Sequence, residues 1–293
     1  MTTSQPGGKI LNAGRIEDGS RGPAQKTLRW WLGREWRRAA TGLCFGTFMS
    51  GGLFLSLTVL PIIRILPISA SSKQRKGLAL VHGAFGLFIK LMRGCGVIGK
   101  FEVEGLANLE GEGPFLFIAN HPTLIDVVAI LGSVPRCNCI VKKALFHHPF
   151  MGPVLRGTGF LPNDTGMHFI EGPRQFFDAG YSLMVFPEGT RSPRRGLHPF
   201  TRGAAQIAVR TGARVVPILI QCEPPTLMKG QAWYEVPDRA IHLKLSFQEP
   251  LPAPSSVTEE SAVPLKVRRL NRYFELYFRE RLGLFRTPGA TTL

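Results

Sequence analysis

Between Ala39 and Ile63 the chain runs for twenty-five residues without a charged side chain. Wound as a helix at 1.5 Å per residue, that run would be about 38 Å long, against a bilayer hydrocarbon core of roughly 30 Å. Core helices of soluble proteins seldom stay uncharged for so long, so the run predicts a membrane-embedded helix. It does not read as a signal peptide. The charged lead-in is longer than an n-region, the apolar run is too long, and no small-residue cleavage site ends it. Gly42, Gly46, Gly51 and Gly52, followed by Pro61 and Pro67, predict a bent or broken span that either crosses or dips in and returns.

The flanks favour lipid. Ahead of the run, Trp30, Trp31 and Trp36 alternate with Arg29, Arg34, Arg37 and Arg38. Indole rings prefer the headgroup level, where arginines would meet lipid phosphate on the cytoplasmic side. Behind it, Leu78–Ile98 carries only Lys90 and Arg93 as charges and predicts a second apolar helix on or in the interface. The first two dozen residues, rich in Gly, Ser and Thr, read as a mobile tail.

Charge sharpens this picture. Of 293 residues, 36 are Lys or Arg and 20 are Asp or Glu, a net charge of +16. So basic a chain is drawn to polyanions: nucleic acid, a phosphate-rich substrate or an anionic membrane. Nucleic-acid binding would interleave aromatics with Lys and Arg on a face that meets a groove. Here the aromatic–arginine mixture abuts the uncharged run, which sets nucleic acid aside and makes an anionic membrane the expected partner. Five scattered cysteines, an odd number, argue against a disulfide framework and for a reducing compartment.

From about Phe101 the texture changes. Apolar runs at Phe115–Ala119, Asn138–Val141, Leu183–Phe186, Arg214–Ile220 and Ile241–Phe247 predict strands. Helical patterns near Thr123–Leu131, Phe150–Arg156, Met167–Ala179 and Arg202–Arg210 alternate with them. The expected fold class is α/β: a central sheet, mostly parallel or mixed, flanked by helices and preceded by membrane-embedded N-terminal helices. The expected divisions are a flexible basic segment (1–38), anchoring helices (39–99), an α/β domain (100–250), and a linker with a basic C-terminal helix (251–293). That last helix sets Leu270, Phe274, Tyr277, Phe278 and Leu282 along one side with arginines around them, and reads either as packed on the domain or as lying on a membrane.

Several motifs fail in context. Gly94-Cys95-Gly96 with Gly99 matches a dinucleotide fingerprint, but an apolar helix precedes it and a strand-like Phe101-Glu-Val-Glu-Gly follows, the reverse of what that motif needs. Phe101 also stands where a P-loop has its Ser or Thr. Cys137 and Cys139 lack a second pair at zinc spacing, and His147-His148 lack a neighbouring carboxylate, so no metal site is expected. A serine nucleophile elbow is missing from the sequence.

Two clusters carry chemistry. In the first, the strand ending at Ala119 empties into Asn120-His121-Pro122, and Thr123 with Asp126 has the form of a helix cap. His121 lies outside the helix, so the turn can fold its imidazole over Asp126. A carboxylate on one ring nitrogen fixes the tautomer and leaves the other nitrogen free as a base. In the second, an apolar strand ends at Phe186 and Pro187 breaks it. Glu188-Gly189-Thr190-Arg191 then forms a turn in which Gly189 admits close backbone approach and Arg191 offers a fork matched to phosphate. Arg194 and Arg195 thicken the positive field.

With both clusters in place the chain resembles the glycerolipid acyltransferases of the lysophosphatidic acid acyltransferase type. The family's His-x4-Asp block is matched by Asn120, His121, Pro122 and Asp126. Its Phe-Pro-Glu-Gly-Thr-Arg-Ser block is present from Phe186 to Ser192. Lys142-Lys143-Ala144-Leu145, with Pro149 and Gly152, matches an intervening block, and Val215-Val216-Pro217-Ile218 a final one. The resemblance, covering roughly residues 101–250, implies acyl transfer without a covalent enzyme intermediate. His121, oriented by Asp126, would be the catalytic base. Asn120, Lys142, Lys143, Glu188, Gly189, Thr190 and Arg191 would bind substrate, and the strand around Pro217 would line an acyl groove. It implies acyl-CoA or acyl-carrier protein as donor substrate, no bound cofactor or metal, and a lipid acceptor. It also implies a membrane location with the catalytic domain facing the cytoplasm, at the inner membrane if bacterial. One departure stands out: Asn163, Asp164 and Thr165 occupy the region where the family usually has a phosphate-binding arginine. Arg156 or Arg174 would have to substitute, or the acceptor would be another lipid-like alcohol or amine. A non-catalytic lipid-binding protein on the same fold is the reading from a different class.

Overall fold

A computed structural model describes residues 28–109, 113–149, 151–163, 168–252 and 262–284. The expected N-terminal tail, most of the linker and Asp164 and Thr165 lie outside them.

Helix α1 spans Leu28–Leu57, so residues 28–38, expected in a flexible segment, are its first turns. It breaks at Thr58 before a short α2, Val59–Ile65. Pro61 accounts for the break: it has no N–H to give to Leu57, and its ring crowds that carbonyl. Ser69 then caps α3, Ala70–Gly94, by accepting from the Ser72 N–H. α3 begins earlier and ends sooner than the expected Leu78–Ile98, because Gly96 takes a left-handed conformation (φ 73°) and turns the chain into a strand.

α1 and α3 form an out-and-back hairpin. Near its base the Trp36 indole donates to the Cys95 carbonyl at 3.0 Å, and midway the Phe48 ring lies 6.1 Å from Phe85 and 5.4 Å from Phe88. The chain thus goes out along α1 and comes back along α3, with the base of the hairpin at the domain. By length and composition, 28–65 and 70–94 each hold an 18-residue window apolar enough to cross a membrane, with mean hydropathies of 1.8 and 1.2 in those windows. Leu43, Leu53, Phe54, Leu57, Ile62, Ile65 and Leu87 are exposed on them.

The rest of the described residues build on a seven-stranded mixed sheet. Its strands are β1 (Ile98–Glu104), β2 (Phe115–Ala119), β3 (Cys137–Val141), β4 (Leu161–Pro162), β5 (Ser182–Val185), β6 (Arg214–Glu223) and β7 (Ile241–Phe247). The spatial order is β1-β7-β6-β2-β5-β3-β4. β6, β2, β5, β3 and β4 are mutually parallel, β7 is antiparallel to β6, and β1 is parallel to β7. The five expected strands are all present. β4 adds an edge pair too short to show a period, and β1 alternates charged residues on an open face with Phe101 and Val103.

Helices cover both sides, which is why β2 is apolar at every position. Phe115, Phe117 and Ala119 face a core shared with α1, α3, α4 (Asp126–Ser133) and α5 (Met151–Gly157). Leu116 and Ile118 face a second core with α6 (His168–Asp178), α7 (Gly203–Thr211) and α8 (Val263–Arg281). Val267, Leu270, Phe274 and Phe278 bury one side of α8, so the C-terminal helix is packed on the domain. Pro217, expected to line an acyl groove, is buried within the sheet opposite Ile118. The wide apolar space lies elsewhere: a cavity of about 470 Å³ between α1, α3 and α5, walled by Phe48, Leu55, Phe85, Phe88, Leu155 and Phe160.

The hairpin is seated by backbone contact. A Cβ placed on Gly132 of α4 would come within 2.9 Å of the Gly86 nitrogen and 3.0 Å of the Phe85 carbonyl carbon of α3. His82 Nδ1 bonds the Leu131 carbonyl alongside, at 3.0 Å. Gly132→Val should therefore lower stability by about 1–3 kcal/mol through overpacking, with Gly132→Ala milder. Thermal unfolding in detergent reads this out; a midpoint unchanged by the valine would show that the helices are not so closely apposed.

Candidate active site

β2 and β5 are adjacent and parallel, so the turns that leave their C-terminal ends emerge side by side, the usual place for a site in such a sheet. The first turn carries His121 and the second carries Pro187-Glu188-Gly189. Both expected clusters meet there.

His121 Nδ1 lies 2.8 Å from Asp126 Oδ2, and the same oxygen accepts from the Thr123 N–H at 2.9 Å. The carboxylate reaching back to Thr123 is one half of the expected cap. The other half is not made: α4 begins at Asp126, and Thr123 Oγ1 has no bond among the described residues. Asp126 is wholly buried, whereas the imidazole retains 15% exposure. The Phe186 ring stacks on it with centroids 4.1 Å apart and planes 20° off parallel. With Nδ1 held by the carboxylate, Nε2 is the nitrogen left for chemistry. Burial pushes the Asp126 carboxyl above its ordinary range; the bonds from His121 and Thr123 oppose that shift.

Glu188 and Asn120 are placed differently from expectation. Glu188 is buried, its Oε1 accepting from the His121 N–H (3.2 Å) and the Ser192 hydroxyl (2.5 Å), its Oε2 from the His198 N–H (2.8 Å). Ser192 also takes the His121 N–H on Oγ (3.1 Å) and donates its own N–H to the His121 carbonyl (2.7 Å). Both carboxylate oxygens thus serve the protein, and Glu188 is a brace that holds one turn to the other. Asn120 pairs its amide with Ile220 of β6, donating to the carbonyl at 2.9 Å and accepting from the N–H at 2.8 Å. It locks the end of β2 to β6. Ser192, the last residue of the Phe186–Ser192 block but given no role by sequence reasoning, is as central to the clamp as Glu188.

Gly189 adopts φ 64°, which the tight turn after Pro187 requires. Arg191 donates through Nη1 to the carbonyls of Leu227 (2.7 Å) and Met228 (3.0 Å), so part of its fork is already used. Among the described residues its Nε and Nη2 have no bonded partner. Thr190 is half-buried beside it, and Lys142 and Lys143 are exposed on the turn that leaves β3.

Asn163 has a structural reason to stand where an arginine is usual: its Oδ1 accepts from the Lys143 N–H at 2.9 Å and pins the Lys-Lys turn. Arg156 bonds the Phe146 carbonyl on that same end of the sheet. Arg174 donates to the Arg210 carbonyl at the end of α7. α7 feeds Arg214, which pairs with Phe115 at the N-terminal end of β2, so Arg174 sits at the opposite edge from His121 and cannot substitute.

A second cavity of about 580 Å³, bordered by Asn120, Pro122, Ser192, Arg194, Gln221 and Lys244, opens beside the residues that flank His121. The nearest thiol chemistry is silent: burial, with the nearby Asp126 charge, pushes Cys222 up to about 12, too high for a thiolate nucleophile at neutral pH. All five cysteines are unbridged, and among the described residues no cluster of three His, Cys, Asp or Glu side chains is arranged to hold a metal ion.

Residues 100–221 match the acyltransferase family model. A chloroplastic 1-acyl-sn-glycerol-3-phosphate acyltransferase of Brassica napus is 31% identical over 127 residues, 41% of this chain and 37% of that one. The 1-acyl-sn-glycerol-3-phosphate acyltransferase of Escherichia coli K12 is 34% identical over 128 residues, 41% of this chain and 52% of that one. The chain thus matches between about a third and a half of the length of these relatives. The crystal structure of the 1-acyl-sn-glycerophosphate acyltransferase of Thermotoga maritima superposes with a TM-score of 0.63 at 22% identity, covering 88% of this chain and 99% of that one, which shows a shared fold. The paired clusters at the strand ends, the family match over residues 100–221 and these relatives together make that stretch of the chain similar to the glycerolipid acyltransferases.

Proposed function

We propose that the protein is a membrane-bound acyltransferase that moves a fatty acyl chain from a thioester donor, acyl-CoA or acyl-carrier protein, to the hydroxyl of a lysophospholipid such as 1-acylglycerol-3-phosphate. The observation that carries the reading is the His121–Asp126 bond at 2.8 Å, with Nε2 unengaged by it. In the proposed reaction Nε2 takes the proton of the acceptor hydroxyl as its oxygen attacks the thioester carbonyl. Buried Asp126 stabilises the resulting imidazolium. Backbone amides of the site would hold the tetrahedral oxyanion. Collapse breaks the C–S bond, and the departing thiolate recovers the proton from Nε2, giving ester and free thiol.

Arg191 and the exposed Lys142 and Lys143 are the cations proposed to meet the acceptor's phosphate, beside Thr190 and the Gly189 backbone. No cofactor or metal enters this scheme. The apolar cavity between α1, α3 and α5 replaces the strand around Pro217 as the proposed acyl site, since its walls are almost entirely hydrocarbon. The hairpin, with its exposed Leu, Ile and Phe side chains, is proposed to seat the protein in the bilayer so that lipid reaches the site without leaving it. Asn163, standing where an arginine is usual, favours a second reading, an acceptor without phosphate.

His121→Ala should reduce transfer of radiolabelled acyl chains to lysophosphatidic acid by about three to four orders of magnitude, and an active variant would refute the mechanism. A neutral lipid alcohol assayed alongside separates the two acceptor readings. Asp126→Asn should lose activity comparably while gaining relative stability as pH rises. A carboxyl whose folded pKa is raised contributes stability fully below its unfolded pKa of about 4 and loses it as pH climbs through the folded value, whereas Asn does not titrate. Thermal midpoints of variant and parent across pH measure this. Gly51 lines the apolar cavity, and a Cβ there meets nothing within 4 Å. Gly51→Leu should therefore shift donor preference to shorter chains in a competition assay.

A further inference from the structure

The loop from Pro224 to Ala240 touches both the anchoring hairpin and the active-site turn. At its near end the Leu227 and Met228 carbonyls accept both bonds from Arg191 Nη1, and Leu227 also accepts from the Leu124 N–H at 3.2 Å, beside Asp126. Leu227 itself takes a positive φ of 51°, uncommon for a residue with a branched side chain. At its far end three groups on α1 grip the loop. Arg38 donates to the Tyr234 carbonyl at 3.2 Å, and Arg37 donates to those of Pro237 at 3.1 Å and Asp238 at 2.6 Å. The Trp233 ring lies on α1 at Gly42, where a Cβ would approach it to 3.0 Å, and 6.3 Å from Phe45.

The two ends are joined by one side chain. Gln231 Oε1 accepts from the Met228 N–H at 3.1 Å, and its Nε2 donates to the Glu235 carbonyl at 2.8 Å. The Gln231 N–H closes the turn onto the Met228 carbonyl, also at 3.1 Å, the carbonyl that holds Arg191. Hydrogen bonds and one ring contact, joined by the main chain from Trp233 to Glu235, therefore run from α1 to Arg191. Arg37 and Arg38 belong to the Trp–Arg collar that the sequence assigned to lipid phosphate; their guanidinium groups are used on this loop instead.

We propose that this loop is a strap by which the anchoring helix sets the position of Arg191, and that Trp233 is a positioning residue for the acceptor site. Seating α1 in a bilayer then fixes the ring on Gly42, the ring fixes the Ala232–Glu235 turn, and Gln231 passes that position to the carbonyls that aim the guanidinium. The inference rests on the acceptor-binding role proposed for Arg191.

Trp233→Ala and Gln231→Ala test it beside Trp233→Phe, using an acyl-CoA donor and lysophosphatidic acid in phosphatidylglycerol vesicles. Both alanine variants should raise KM for the acceptor about tenfold with kcat within about twofold, and Trp233→Phe should restore the parent KM. A contact that merely supported the fold would lower the active fraction, and so kcat, without moving KM. That result, or no change in either constant, overturns the proposal. Amide hydrogen exchange separates its failure from that of the proposed activity: the Gly189–Ser192 amides should exchange faster in both alanine variants and as in the parent in Trp233→Phe. If the parent acylates no lysophospholipid, the acceptor reading fails while the strap is judged by exchange alone, and unchanged exchange overturns it.

Discussion

Asp126 is a carboxylate with no exposed surface, and a buried charge is tolerated only where donors are fixed against it. Here the donors are His121 Nδ1 and the Thr123 N–H, both in the turn between β2 and α4. Moving that turn by an ångström would strand the charge and free the imidazole together. Much of the surrounding structure serves to prevent the movement. Asn120 ties the strand end to β6, Glu188 and Ser192 tie the His121 backbone to the neighbouring turn, and Phe186 lies flat against the ring. The pair is thus held by side chains that themselves need not touch a substrate.

The hairpin is built into the same body. α3 meets α4 at Gly86 and Gly132, directly behind the helix that begins with Asp126, and α1 meets the Pro224–Ala240 loop that holds Arg191. The apolar hairpin therefore braces both sides of the site. This arrangement also redistributes the basic excess of the chain. Arg37, Arg38, Arg156, Arg174 and Arg191 each donate to a main-chain carbonyl, so part of the +16 is structural cement rather than a field offered to phosphate.

Much of the fold was legible because its signals are local. A parallel strand covered on both faces must be apolar throughout, as Phe115–Ala119 is, and Pro122, Pro187 and Gly189 mark where strands give way to turns. The His121–Asp126 relation was legible for the same reason: five residues and one turn separate the two, so their meeting depends on nothing distant. The short β4 was not visible because two residues carry no period. Pro61 signalled a break, but the return of α3 along α1 was not visible, because their pairing depends on contacts between distant residues such as Phe48 and Phe85.

What the sequence determined by itself was the chemistry available: an imidazole with its carboxylate, a second turn rich in polar groups, and an uncharged run that needs an apolar environment. What only the tertiary structure decided was how each polar group is spent. Asn120 and Glu188, read as substrate ligands, face protein donors across 100 and 67 residues of chain, and Pro217 disappears into the sheet. Arg174 ends at the wrong edge, and the apolar space opens between helices rather than along a strand. The physical reason is that a side chain's type sets which bonds it can make. Whether those bonds go to a ligand or to the protein's own backbone depends on which distant segment the fold brings within about 3 Å of it.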